Sequence, residues 1–76
     1  MELQSFVANV AAQFDETDAS EFTPETVFKE VHEWASIIAL CVIAMVDEEY
    51  HVKIQGDDII KAHTISDLFE IVKSRC

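Results

Sequence analysis

Apolar residues recur near the start of the chain at helical spacing, as Leu3, Phe6, Val7, Val10, Ala11 and Phe14, with Glu2, Gln4, Asn9 and Gln13 between them. The pattern predicts an amphipathic helix of about 13 residues with one face for a core. It should stop at Asp15-Glu16-Thr17-Asp18, where short polar side chains compete with the helical backbone for hydrogen bonds. The stretch from Asp15 to Ala35 is long for a structureless connection, so part of it should be ordered. Thr23 reads as an N-cap with Pro24 at the first helical position and Glu25 in the first turn. Phe22, Val27, Phe28 and Trp34 are then available to pin the segment to the core, which predicts a packed loop.

Ser36 opens the next element. Ile37 to Val46 is apolar on every side and is followed by Asp47-Glu48-Glu49-Tyr50-His51. Its length favours a helix over a strand, and its composition predicts the central, most buried helix. Val52-Lys53-Ile54 leads to a turn at Gln55-Gly56, after which Asp57 is placed to cap a short helix through Asp58, Ile59 and Ile60. Thr64 and Asp67 form a shorter version of the capping box. Ile65, Leu68, Phe69 and Val72 make the apolar face of the last helix, with Lys73 and Arg75 at its C-terminal end, where cations suit the helix dipole. The expected fold is therefore an all-α four-helix bundle with a long first loop and a short third helix, a single domain over residues 1–76.

Composition agrees with helices, since the chain has one Gly and one Pro. Its 76 residues support one small core and no deep pocket walled by a second layer. That favours a binding or carrier module over an enzyme. The formal net charge of −10, from fifteen acids against five bases, disfavours nucleic acid and anionic membrane as partners. It favours basic partner surfaces. The longest apolar run is about half of what a bilayer requires. Met1-Glu2-Leu3-Gln4 has no basic region, so no signal peptide is expected.

Cys41 and Cys76 are expected as free thiols in a reducing cytoplasm, Cys41 within the core. His32, His51 and His63 fit no zinc spacing with them, and no metal site is expected. On an apolar helix the Cys41 thiol is poorly placed for nucleophilic chemistry. Trp34 reads either as a loop anchor or as a partner contact, the anchor being preferred for its apolar area. Asp47-Glu48-Glu49 is a solvated helix end or part of a docking surface. Acids there oppose the helix dipole, which inclines the reading toward docking.

From Thr23-Pro24-Glu25-Thr26 and Phe28-Lys29-Glu30, past Ser36, to Asp47-Glu48-Glu49-Tyr50 and Thr64-Ile65-Ser66-Asp67, the chain resembles bacterial acyl carrier proteins. The resemblance covers essentially the whole chain. It implies that Ser36 receives a 4′-phosphopantetheine from coenzyme A, whose thiol carries acyl groups as thioesters for fatty acid or related biosynthesis. It also implies a monomeric carrier that is not itself an enzyme, with an apolar interior sheltering the acyl chain. The implied partners are a phosphopantetheinyl transferase and acyl-processing enzymes with basic docking surfaces, meeting the chain at Trp34, Ile37, Ile38, Cys41, Asp47 and Glu48.

Two departures stand out. The family's Asp-Ser-Leu reads Ala35-Ser36-Ile37 here, so the acid that approaches the transferase's magnesium is missing, with Glu33 as a nearby substitute. The face near the serine, acidic in the family, includes Ile38 and Cys41. Without the resemblance, a serine ahead of an apolar helix reads as an N-cap; both roles are compatible. Two rival readings stand beside it: an unmodified carrier-like domain serving as an interaction or regulatory module, and an unrelated acidic helical interaction domain whose apolar patch near Ile38 and Trp34 binds a partner helix.

Overall fold

The computed structural model describes residues 2–76. Four α-helices follow in order: α1 (Leu3–Ala11), α2 (Ser36–Tyr50), α3 (Gly56–Lys61) and α4 (Ile65–Lys73). Two 3-10 turns, Ala19–Glu21 and Phe28–Glu30, lie in the connection between α1 and α2. The described residues contain no strand. Helix α1 packs on α2 and α4, and α3 packs on α4.

The apolar spacing of α1 buries Phe6, Val7, Val10 and Ala11. Its pattern runs on to Phe14, but the α-helix ends earlier than expected. The amides of Gln13 and Phe14 bond to Val10 and Ala11, three residues back rather than four. This tighter last turn swings Phe14 into the core. There Phe6 meets the ring of Phe69 edge-on at 5.5 Å, and Tyr50 lies 5.6 Å from Phe6 while its hydroxyl accepts from Asn9 Nδ2 at 2.8 Å.

The long first loop is packed, as expected. Phe22 and Phe28 are buried, and the rings run on as a chain: Phe22 to Phe14 at 4.8 Å, Phe14 to Trp34 at 6.2 Å, Trp34 to Phe28 at 5.3 Å. Val27 is the exception, since it remains 36% exposed and stays outside the buried core. No helix starts at Thr23-Pro24 either. These residues form a turn, closed by Thr26 N–H to the Thr23 carbonyl at 3.0 Å and by Thr23 N–H to Thr26 Oγ1 at 2.8 Å. The reason lies in α4: its first two amides, Ile65 and Ser66, donate to the carbonyls of Thr26 and Pro24. A helix from Pro24 would spend those carbonyls on itself.

With the third amide, Asp67 N–H, held by Thr64 Oγ1 at 3.0 Å, the start of α4 is satisfied by loop and cap together. Asp67 Oδ2 completes the predicted box by accepting from Thr64 N–H at 3.1 Å. The start of α3 differs from expectation. Gln55 is its N-cap residue and Gly56 its first helical residue, so Gln55-Gly56 is a helix start and not a turn. The acid that closes this start is Asp58, which accepts from Gln55 N–H at 2.9 Å, and not Asp57.

Helix α2 buries Ile38, Val42, Met45 and Val46 but leaves Ile37 64% and Leu40 61% exposed. Its apolar circumference does not make it a central helix. The three other helices are too short to enclose it, so one flank stays in water. Among the described residues no helix is long and apolar enough to cross a membrane.

Candidate functional site

Ser36 is the first residue of α2 and is exposed. The N-cap position falls on Ala35, in extended backbone, with no side-chain capping hydrogen bond. The cap expected of Ser36 is therefore not made. The first intrahelical bond of α2 runs from Ala39 N–H to the Ala35 carbonyl at 3.1 Å. The amides of Ser36, Ile37 and Ile38 thus precede the helical ladder and stand at its positive end. A serine hydroxyl beside such amides is a favourable place for an attached phosphate.

Glu33 is not free to replace the missing acid. Its Oε2 accepts from Asp15 N–H at 2.8 Å, while Oε1 accepts from Glu16 N–H at 3.0 Å and Thr17 Oγ1–H at 2.8 Å. Burial pushes its carboxyl up, but the bonds from Thr17, Glu16 and Asp15 together outweigh that and hold it below its ordinary value. Glu33 fastens the end of the long loop to its beginning. Nothing in the sequence signalled this, because the partners lie 16 to 18 residues away.

Of the residues expected at a docking face, Ile37 is outward on α2. Ile38 is turned inward, 8% exposed, and belongs to the core. Cys41 is half-buried rather than in the core, and both cysteines are free. Leu40, not singled out from the sequence, takes the outward place beside Ile37; in a run that is apolar on every side, no sequence signal marked that flank. Trp34 is wedged between Phe14 and Phe28, the position of a loop anchor. Asp47 Oδ2 pairs with the exposed Lys53 Nζ at 3.2 Å, and Glu48 is exposed.

Two concavities mark the surface. One, of about 580 Å³, is lined by Glu16, Glu21, Glu30, His32 and Glu33 with the apolar edges of Phe22 and Val31. The other, of about 310 Å³, lies between Ile43, Ala44 and Asp47 of α2 and the Lys53–Gln55 segment. Both open to solvent, so neither is a preformed shelter for an acyl chain. Among the described residues no group of three or more His, Cys, Asp or Glu side chains is arranged to hold a metal ion.

The site sequence reasoning missed entirely is polar. Asp58, 6% exposed, accepts from Arg75 Nη1 at 2.8 Å and from Nη2 at 2.7 Å. Arg75 therefore ties α3 to the end of the chain instead of only complementing the α4 dipole. No protein family, no curated protein and no solved structure matches this chain.

Proposed function

We propose that the chain is an acyl carrier protein, with 4′-phosphopantetheine joined to Ser36 as a phosphodiester. The observation that carries this reading is the state of Ser36: exposed, first in a 15-residue helix, and outside the helix cap. The all-helical architecture supports it too, with its long packed first loop and short third helix.

The residues present fit the group. The Ser36 hydroxyl would supply the ester oxygen and lose its proton as the pyrophosphate bond of coenzyme A breaks and adenosine 3′,5′-bisphosphate leaves. The amides of Ser36, Ile37 and Ile38 at the positive end of α2 would favour the phosphate charge. The arm, when attached, supplies the thiol that holds an acyl group as a thioester. The protein's own part is to present Ser36 and to offer α2 to enzymes that act on the carried group. In this reading it catalyses nothing itself, and its charge of −10 favours enzymes with basic surfaces around their entrances.

A second reading is an unmodified carrier-like domain acting as an interaction module. It is favoured by one local fact: Ala35 carries no acid, and the Glu33 carboxylate is spent on the loop. Intact mass separates the two. The chain is incubated with coenzyme A, magnesium and a broad-specificity phosphopantetheinyl transferase, beside Ser36→Ala. A gain of one phosphopantetheine in the wild type alone is the expected result. Absence of the arm both in that reaction and in protein purified from its own host would sink the carrier reading and leave the interaction module.

A further inference from the structure

Helix α3 is the least self-sufficient element of the fold. It runs for six residues, Gly56–Lys61, well short of the roughly 12–15 at which an isolated helix becomes even marginally stable. Its share of the core is small. Asp58 and Ile59 are buried, so Ile59 is the one large apolar side chain it inserts, whereas α1 and α4 bury four residues each. Ile60 stands in water, 70% exposed. A segment with so few buried apolar contacts opens at a lower free-energy cost than the whole fold.

What holds α3 is polar, and it arrives from other segments at both ends. At the start, Asp58 accepts from Gln55 N–H at 2.9 Å and from Arg75 Nη1 and Nη2 at 2.8 and 2.7 Å. One carboxylate thus closes the helix start and receives a guanidinium from beyond α4. At the other end, Lys29 Nζ donates to the Ile60 carbonyl at 2.8 Å, in the last turn, where carbonyls have no partner within the helix. Both cations stand on segments anchored without α3. Lys29 follows the fully buried Phe28 in a 3-10 turn of the first loop. Arg75 is joined to α4 by its own amide, which donates to the Val72 carbonyl at 3.0 Å.

We infer that α3 is a flap that opens while α1, α2 and α4 stay folded, and that Arg75 and Lys29 are the two latches that keep it shut. Opening carries Asp58 and Ile59 into water and releases both cations. The buried faces of the three longer helices remain together. The inference is independent of the carrier reading, because it requires no arm on Ser36.

The test is hydrogen exchange of the full chain, followed by NMR at urea concentrations below the unfolding transition. Ile59 and Ala62 N–H, which donate to the Gln55 and Asp58 carbonyls, report on α3. The amide of fully buried Val46 reports on α2. Exchange at Ile59 and Ala62 should depend weakly on urea and exchange at Val46 strongly. Arg75→Met should speed exchange at Ile59 and Ala62 by about fivefold, and Lys29→Met by about threefold. Val7→Ala weakens the core at α1, which packs on α2 and α4. It should speed exchange at Val46 and leave Ile59 and Ala62 unchanged, since the open flap keeps that part of the core intact. Equal acceleration of all three amides by Val7→Ala, with equal urea dependence, would mean that α3 opens only when the whole chain unfolds and would overturn the inference. Unchanged rates at Ile59 and Ala62 in both latch variants would overturn it as well.

Discussion

Asp58 and Arg75 join the short α3 to the residues beyond α4, and the strength of this tie can be read by acid titration. The Asp58 side chain is 9% exposed and that of Arg75 44%. The hydrogen bonds from Arg75, joined by the Gln55 amide, outweigh burial and pull the Asp58 pKa from 3.8 to about 2. At 1.36 kcal/mol per pKa unit such a shift corresponds to about 2 kcal/mol. Solvent around the half-exposed guanidinium screens the pair, which brings the expected contribution to about 1 kcal/mol. The folded pKa lies below the unfolded one, so this stabilisation is complete above about pH 5 and is lost as the pH falls through 4 toward 2.

Asp58→Asn removes the charge at nearly constant shape. Urea unfolding of wild type and variant should differ by about 1 kcal/mol at neutral pH, and the gap should close toward pH 2. The difference is the quantity to follow. Asp18, Glu33 and Asp67 are also held below their ordinary values, and a chain of charge −10 repels itself less as it protonates. Arg75→Met should produce a similar loss and return the Asp58 titration, followed by carboxyl-carbon NMR, toward 4. A wild-type Asp58 that titrates near 4, or a gap that does not change with pH, would refute the reasoning.

Ser36→Ala should leave stability within about 0.5 kcal/mol of wild type, because the serine caps nothing, whereas Thr64→Ala should cost about 1 kcal/mol; equal losses in thermal melts would restore Ser36 as a cap. His51 ends α2 in left-handed backbone at φ 57°, so His51→Gly should stabilise by about 0.5 kcal/mol and raise the melting temperature by a few degrees. No gain would mean that this conformation carries no strain. Glu33→Ala should speed hydrogen exchange at the Asp15 and Glu16 amides, and unchanged protection there would deny its role in fastening the loop.

Local signals carried far in this chain. The apolar spacing of α1 and α4, the Thr64–Asp67 box and the apolar run after Ser36 place helices that the structure contains, because each depends on neighbours within a turn or two. The packed state of the first loop was legible for a similar reason. Phe22, Phe28 and Trp34 are too large and apolar to leave in water in so small a domain.

What remained hidden depended on which element took which hydrogen-bonding group. Pro24 reads as a helix start until its carbonyl, with that of Thr26, is claimed by α4. Glu33 reads as a spare acid until two amides and a hydroxyl from the other end of the loop converge on it. Arg75 reads as a helix-end cation until Asp58 meets it.

The sequence alone determined that the chain is helical, that its core is built from Phe, Val, Ile and Leu at helical spacing, and that its surface is strongly acidic. Tertiary structure alone decided which side of the apolar α2 faces water. A helix with aliphatic residues all round has no sidedness of its own. Burial of Ile38 and Val42 in the shared core, with α1 packed on α2, and not any property of Ile37 or Leu40, leaves those two outward beside Ser36.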